Sequence, residues 1–206
     1  MSLDALTDRI TATEPRGKRR VIALCGPPAS GKSTLAAQLS AQVAQSCVVP
    51  MDGFHLDNRI LRTSGTLDRK GAPETFDISG LSHILRRLLT EDEVIFPVFD
   101  RAQDCAIAGA GLVAADTQTV IVEGNYLLLD RLGWRDLATF WDCAVYLSVP
   151  THVLRERLLD RWRNLGLSEH DAQGRADGND LRNAAEMADH LIAPDVTLDE
   201  NLRPLG

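Results

Sequence analysis

Apolar residues along this chain recur in two patterns, short continuous runs and longer stretches with helical spacing. Four runs are short and apolar nearly throughout, which is typical of strands buried on both faces: residues 21–25, 47–51, 119–123 and 143–147. Residues 34–39 and 78–89 instead place apolar side chains three and four positions apart, as on one face of a helix. Strands that alternate with helices predict an α/β fold around a mainly parallel sheet.

Weaker patterns predict the remaining elements. Leu3, Leu6 and Ile10 lie at helical spacing behind Ser2, a good N-cap, so residues 1–17 should hold a leading helix. The other predictions are, in chain order, a short helix over 56–61, a loop over 63–77, an edge strand over 94–99, a hairpin tip at 109–111, an arginine-rich helix from 154 to about 166, a turn at 177–178 and a helix over 181–188. No linker or repeat divides the chain, which predicts one domain over 1–206.

A glycine-rich segment stands between the first predicted strand and the helix after it. Residues 26–33 read GPPASGKS, which matches the phosphate-binding pattern G-x-x-x-x-G-K-[ST]. The glycines let the backbone curl around an anion, and the helix N-terminus offers unpaired N–H groups. Lys32 adds a positive charge, and the Ser33 hydroxyl can bind magnesium. The segment therefore predicts a nucleotide-binding protein.

The same segment indicates which of its residues hold phosphate. Pro27 and Pro28 have no N–H, so the backbone donors must come from about residue 29 onward. The residues predicted to bind the nucleotide in this loop are Gly26, Ala29, Ser30, Gly31, Lys32, Ser33 and Thr34.

Two acids directly follow or end buried strands. Asp52 comes after the second predicted strand and Glu123 ends the third. Ligands of an open parallel sheet collect at the carboxyl ends of its strands, so both acids should lie near the phosphates. An acid there can hold magnesium or take the proton from an attacking hydroxyl. The alternative for each is a solvated loop acid.

Basic residues supply the second requirement of phosphate chemistry, stabilisation of negative charge. Arg157 and Arg161 lie one turn apart on the arginine-rich helix and, with Arg163, could form a lid over the phosphates. The alternative is a solvated helix face on which they pair with neighbouring acids. Four more basic residues fall in loops after strands, where substrate contacts are common: His55, Arg69, Lys70 and Arg101.

Composition narrows the class of partner and the compartment. The chain has 206 residues, a net charge of −7 and a pI near 5.2, which argues against nucleic acid or an anionic membrane as the main partner. No window approaches 18 consecutive apolar residues and the N-terminus does not read as a signal peptide. We expect a soluble cytoplasmic protein. Its four cysteines lack a C-x-x-C pair, which predicts reduced thiols without disulfide or zinc.

Four further sequence blocks follow the phosphate-binding loop of residues 26–33, hereafter the P-loop. They are PMDGFH at 50–55, RKGAPETFD at 69–77, PVFDR at 97–101 and VEGNY at 122–126. Together with the P-loop they resemble the uridine kinase, phosphoribulokinase and bacterial pantothenate kinase superfamily. Within it the chain is most similar to small bacterial proteins described as candidate fructose-transport-system kinases. The resemblance spans about residues 20–192.

The resemblance implies a fold and a set of roles. The fold would be a three-layer P-loop NTPase, nucleoside-kinase-like, with a mainly parallel five-stranded sheet, a small antiparallel hairpin and a helical lid at about 151–178. The cofactors would be ATP and Mg²⁺, with Ser33 and Glu123 at the metal. The catalytic residues would be Asp52 as general base, Lys32, Arg157 and Arg161, and Arg163 would bind ATP. The acceptor pocket would be formed by Asp52, His55, Arg69, Lys70, Arg101, Asn125 and Tyr126.

The acceptor itself stays open at this point. The resemblance favours phosphorylation of a hydroxyl on a sugar or sugar-like metabolite, with uridine or pantothenate as alternatives. Asp52 is followed by Gly-Phe-His, as in pantothenate kinases, where uridine kinases have Ser-Phe-Tyr, yet the chain is shorter than pantothenate kinases. A nucleotide-dependent regulatory protein without phosphoryl transfer is the alternative of another class. The expected partner is a small molecule, and a homodimer is left open.

Overall fold

The apolar runs form the centre of the protein, as their pattern predicts. The computed structural model describes residues 2–205. Its strands are β1 (Arg20–Cys25), β2 (Ser46–Pro50), β3 (Val94–Asp100), β4 (Cys105–Val113), β5 (Thr119–Gly124), β6 (Cys143–Leu147) and β7 (Val196–Leu198). Five of them form a parallel sheet in the order β2-β5-β1-β6-β7, and β3 pairs with β4 in a separate antiparallel hairpin. This confirms the predicted fold class.

Helices cover both faces of the sheet. They are α1 (Leu3–Ala12), α2 (Lys32–Gln42), α3 (Asn58–Ser64), α4 (Ile78–Leu88), α5 (Thr151–Asn164), α6 (Glu169–Arg175) and α7 (Leu181–Asp189). Alternate residues of β1 point to opposite layers: Ile22 and Leu24 pack with α1 and α2, whereas Val21 and Ala23 pack with α4. Because the strand is buried on both faces, every one of its positions from 21 to 25 is apolar.

The predicted leading helix is present. Ser2 caps it, and the Ser2 hydroxyl accepts a hydrogen bond from the Ala5 N–H at 3.1 Å. Leu6 and Ile10 are buried against the sheet layer that also holds α2. Among the described residues, no helix has the length and apolar character needed to cross a membrane.

The predicted hairpin tip at 109–111 is wrong. These residues lie inside β4, and the turn of the hairpin is at residues 101–104, where the Asp100 carboxylate accepts two backbone N–H groups. The register jumps from Phe96↔Gly111 to Val98↔Ile107 across Pro97, and Gly109 has φ +70. Residues 108–110, with Gly109 at their centre, therefore form a bulge opposite a proline that cannot donate to the ladder.

The predicted turn at 177–178 is also wrong. Ala176–Asp180 is one turn of π-helix that continues without a break from α6 into α7. Asp177 pairs with Arg155 at 2.7 Å, and Asn179 is buried against the loop after α3. These tertiary contacts hold helical backbone at an Asp-Gly pair that would favour a turn in isolation. Single π-helical turns of this kind are frequent near functional sites.

The register of the sheet brings the predicted site together. Glu123 of β5 stands level with Leu24 of β1 and with Pro50 of β2. The P-loop leaves the carboxyl end of β1, and Asp52 follows the carboxyl end of β2. The P-loop and both acids therefore share one edge of the sheet.

Candidate active site

The P-loop is shaped to receive an anion. Gly31 has φ +96 and Ala29 has φ 62, so the backbone turns through the left-handed region twice before α2 begins at Lys32. A Cβ on Gly26 would stand 2.8 Å from the Ser30 hydroxyl oxygen, so only glycine fits there. No side chain caps α2, which leaves its first N–H groups available.

Lys32 is free to meet a phosphate. Its ammonium donates one long hydrogen bond in the described chain, to the Pro27 carbonyl at 3.4 Å. An ammonium has three donors, so most of its bonding capacity is unused. The residues present therefore fit the phosphates of a nucleotide.

A hydroxyl and a carboxylate meet directly beside Lys32. The Ser33 hydroxyl donates to Glu123 Oε1 at 3.2 Å, and Glu123 is only 7% exposed. Burial raises the pKa of Glu123, the positive charge of Lys32 lowers it, and the negative charge of Asp52 raises it further. Oxygen ligands of this kind are those that magnesium prefers, so the pair fits a divalent cation.

Asp52 lies in a tight 3₁₀ turn, Met51–Phe54, that the β3–β4 hairpin covers. A Cβ on Gly53 would collide with the Pro97 carbonyl, so the absence of a side chain lets the hairpin close over the turn. The hairpin brings Arg101 to Asp52, and their side chains pair at 3.0 Å. The second carboxylate oxygen, Asp52 Oδ1, has no partner among the described residues.

His55 and Lys70 build the wall behind Asp52. The His55 ring is stacked between Phe76 and Phe99, with ring centroids 4.0 and 4.7 Å away, and burial lowers its pKa. Lys70 donates to the Asp104 carbonyl at 2.7 Å and lies over the Phe99 ring. Both residues are thus tied to the hairpin, and the lowered pKa of His55 favours its neutral form.

Two residues predicted to contact substrate make hydrogen bonds to the surrounding loops. Arg69 donates to the side-chain oxygens of Asn179 and Asn183 at 2.7 and 3.1 Å. Tyr126 is fully buried, and its hydroxyl donates to the Gly71 carbonyl at 2.6 Å. Asn125, in contrast, directly follows β5 and has a buried Oδ1 that finds no partner within residues 2–205.

The three predicted lid arginines have different surroundings. Arg157 donates to the Ala29 and Ser30 carbonyls at 3.3 Å each, so it already contacts the P-loop. Arg161 lies where Arg101, Asp180 and Asp52 act on its pKa, which burial lowers. Arg163 pairs with Glu169 at 2.8 Å and with Asp160 at 3.0 Å. The structure does not bring Arg163 to the P-loop.

The structure adds residues that the sequence patterns did not indicate. A cavity of about 350 Å³ opens beside the P-loop, between Thr34 and Gln38 on one side and residues 199–202 on the other. The second side follows β7, a strand of three residues that is too short to leave a periodic signal. The π-helical turn places Asn179 beside Arg69 and Asp180 beside Trp162.

Comparison with known proteins places this site in a family. A family model described as an AAA domain matches residues 22–175, most of the chain and the whole P-loop. The chain belongs to this P-loop family. It is 39% identical over 170 residues to YggC of Escherichia coli (strain K12), which covers 78% of this chain and 70% of that one.

Two further relatives are named as kinases. A candidate uridine kinase of Schizosaccharomyces pombe (strain 972 / ATCC 24843) is 31% identical over 215 residues, covering 97% of this chain and 91% of its own. The crystal structure of a candidate fructose transport system kinase from Silicibacter sp. TM1040 is 47% identical, with a TM-score of 0.92 over 96% of this chain and 98% of that one. These likenesses confirm the resemblance to the P-loop kinases that the ordered sequence blocks carried.

Proposed function

We propose that this protein is a kinase that transfers the γ-phosphoryl group of ATP to a hydroxyl of a small sugar or sugar-like metabolite. The observation that carries the proposal is the position of Asp52. Its carboxylate stands at the edge of the sheet where the P-loop also lies. Its negative charge raises the pKa of Glu123. A phosphate-binding loop alone would suit any nucleotide-binding protein, whereas a second carboxylate beyond it suits phosphoryl transfer.

The P-loop would hold the nucleotide. Its backbone N–H groups from Ala29 to Thr34 would bind the phosphates, and Lys32 would bind the outer ones. The cavity of about 350 Å³ beside Thr34 and Gln38 is open on the same side and would receive the nucleoside. Arg157 already contacts the Ala29 and Ser30 carbonyls, so a small shift of α5 would bring its guanidinium to the phosphates.

Ser33 and Glu123 would hold Mg²⁺, which would neutralise charge on the β- and γ-phosphates. The buried Glu123 carboxylate suits this role because a cation beside it offsets the unfavourable burial of its charge. The hydrogen bond between Ser33 and Glu123 orients both groups beforehand.

Asp52 would act as the general base. Arg101 binds one carboxylate oxygen, Oδ2, and thereby fixes the rotamer of Asp52. The other oxygen, Oδ1, would accept the proton of the acceptor hydroxyl as its oxygen attacks the γ-phosphorus. The wall formed by His55, Lys70 and the hairpin would exclude water from this side.

The test is to follow ADP release with ATP, Mg²⁺ and a panel of sugars, nucleosides and pantothenate. The Asp52→Asn variant should keep near-normal ATP binding but lose about 10²-fold or more of phosphoryl transfer, because it keeps the shape and loses the base. Asp116→Asn, in an exposed loop after β4, is the matched control and should behave as wild type.

Two results would contradict the proposal. One is full transfer by Asp52→Asn with an accepted substrate, since the base would then lie elsewhere. The other is ATP binding without ADP release for every acceptor of the panel, which would favour a nucleotide-dependent regulatory protein.

A further inference from the structure

The two lid arginines that face the site divide between its two halves. Arg157 reaches the P-loop carbonyls, on the nucleotide side. Arg161, one turn later on α5, adjoins Trp162, whose indole N–H donates to Asp180 of the π-helical turn at 2.8 Å, and the same turn binds Arg69 through Asn179 at 2.7 Å. The charges of Arg101 and Asp52 also act on Arg161. Arg161 therefore belongs to the acceptor side of the site.

Arg161 is a half-buried cation on that side that lacks an anionic partner. Within residues 2–205 its guanidinium makes no hydrogen bond and no ion pair. Three neighbouring basic groups are matched: Arg101 pairs with Asp52 at 3.0 Å, Lys70 with Asp104 at 2.9 Å and Arg69 with Glu74 at 3.6 Å. Arg175 shares the Trp162 ring with Arg161 but is exposed. A guanidinium has five donors, and partly buried donors without partners are unfavourable.

The Arg161 side chain is held in place rather than left loose. Its guanidinium lies over the Trp162 ring, 5.5 Å from the centroid, and the indole N–H donates to Asp180 at 2.8 Å. The negative charge of Asp180 acts on Arg161, but Asp180 is not within ion-pair distance of it. A guanidinium that is pre-positioned and unpartnered suits two-point recognition of a carboxylate or phosphate.

We infer that the acceptor is itself an anion, a hydroxy acid or a sugar phosphate, whose charged group binds Arg161 with help from Arg101. This inference rests on the proposed kinase function, and it names the substrate class of the same site. The hydroxyl of the acceptor would meet Asp52, and its carboxylate or phosphate would lie between the two guanidinium groups. Such an anion would also relieve the repulsion that Arg101 exerts on Arg161.

The test compares matched acceptors that differ in charge. Glucose is compared with D-gluconate and glucose 6-phosphate, and fructose with fructose 6-phosphate, by ADP release and by calorimetric binding to protein saturated with magnesium and a non-hydrolysable ATP analogue. Saturation keeps the test anions out of the P-loop. We expect at least one anionic compound to bind about tenfold or more tightly than its neutral counterpart. The comparison of gluconate with the sugar phosphates identifies whether the site binds a carboxylate or a phosphate.

Variants then assign the preference to Arg161. Arg161→Gln should raise KM for the anionic acceptor about tenfold or more, and should raise KM for the neutral counterpart much less. Arg86→Gln is the control, because Arg86 is an exposed arginine of α4. If Arg161 served only the transferring phosphoryl group, its variant would lower kcat equally for charged and neutral acceptors, which would overturn the inference.

The failure of this inference differs from the failure of the kinase proposal. Neutral sugars that bind and turn over as well as their anionic counterparts would overturn the inference and leave the kinase intact. The absence of ADP release with every acceptor would contradict the proposed kinase function. The binding measurement would still decide whether Arg161 binds an anion.

Discussion

At the scale of one residue, the buried charge of Glu123 serves the proposed function and lowers the stability of the folded protein. It stands in the centre of the sheet edge, 7% exposed, with Ser33 as its hydrogen-bond donor and Lys32 nearby. Burial raises its pKa despite both partners. A carboxylate held at such a position is favourable chiefly when a cation shares the site, so we expect its removal to affect binding and stability in opposite directions.

The first prediction at this scale concerns Glu123→Gln without nucleotide or metal. Because the folded-state pKa is raised, stability is greatest below the unfolded pKa and is lost as pH rises through the folded pKa. Glu123→Gln should therefore raise Tm by a few degrees at pH 8 and by less at pH 5, while it weakens magnesium-dependent ATP binding. Thermal unfolding at the two pH values measures this.

Glu91→Gln is the control for this pH dependence. Glu91 is an exposed acid on the turn after α4, and its hydrogen bond with Arg87 at 2.9 Å lowers its pKa. Its ionised form is favoured by folding, so its variant should not raise Tm at pH 8. Equal shifts of Tm for Glu123→Gln at both pH values would contradict the argument from burial.

The second prediction concerns Lys32, whose ammonium makes one long bond to the Pro27 carbonyl. The backbone sets the shape of the loop and the lysine adds only charge, so Lys32→Ala should keep the nucleotide-free Tm and lose most of the ATP affinity. Lys18→Ala, which breaks the pair with Asp92 at the surface, is the control and should bind ATP normally. ATP that stabilises Lys32→Ala as much as wild type would contradict the P-loop assignment.

At the scale of elements, Arg19 joins α4 to the β3–β4 hairpin. It is fully buried, yet it has no acidic partner among the described residues. Its guanidinium donates to the carbonyls of Leu88, Glu91, Asp92 and Ala114, at the C-terminus of α4 and at the base of the hairpin. A cation suits the negative end of a helix, so one side chain fixes two elements that form a wall of the site.

Arg19 gives the third prediction. Arg19→Met keeps much of the volume but leaves buried carbonyls unpaired, and should lower the free energy of unfolding by about 3 kcal/mol or more. Urea denaturation measures the loss. Arg86→Met, on an exposed position of α4, should change stability by less than about 0.5 kcal/mol. Comparable losses for the two variants would show that the buried bonds contribute little.

The fourth prediction concerns the proposed lid, α5 with α6. Few of its residues are buried, and it contacts the P-loop through the pair of 3.3 Å bonds from Arg157 and through Ala29, which packs against its apolar side chains. Without nucleotide, amide exchange over 151–178 should be faster than in β1 and β5, and an ATP analogue should slow it. Exchange in α4 should stay unchanged as the control. Equal protection of α5 with and without the analogue would count against a lid.

At the scale of the whole molecule, a negatively charged protein concentrates positive charge at one edge of its sheet. The net charge is −7, yet Lys32, Arg101, Arg157 and Arg161 lie around the P-loop and Asp52. The sheet makes this arrangement possible, because parallel strands deliver all their carboxyl ends to the same edge. The local field therefore suits small anionic ligands, although the molecule as a whole repels extended polyanions.

The sequence alone determined the centre of this architecture. Local signals, each a period or a motif within about ten residues, were enough to predict these features. They are the continuous apolar runs, the P-loop between a strand and a helix, and the acids at 52 and 123. The leading helix and its Ser2 cap were predicted for the same reason. Once the strands were known to be parallel, the shared edge of Lys32, Asp52 and Glu123 followed.

Only the tertiary structure decided which residues meet across long separations. Arg69 and Asn179 stand 110 positions apart, and their bond holds a π-helical turn where the local Asp-Gly signal predicts a break. The four carbonyls around Arg19 and the cavity wall at 199–202 likewise come from segments far apart in the chain. Local propensities differ by about 1 kcal/mol or less per residue, so a few buried contacts of this kind override them.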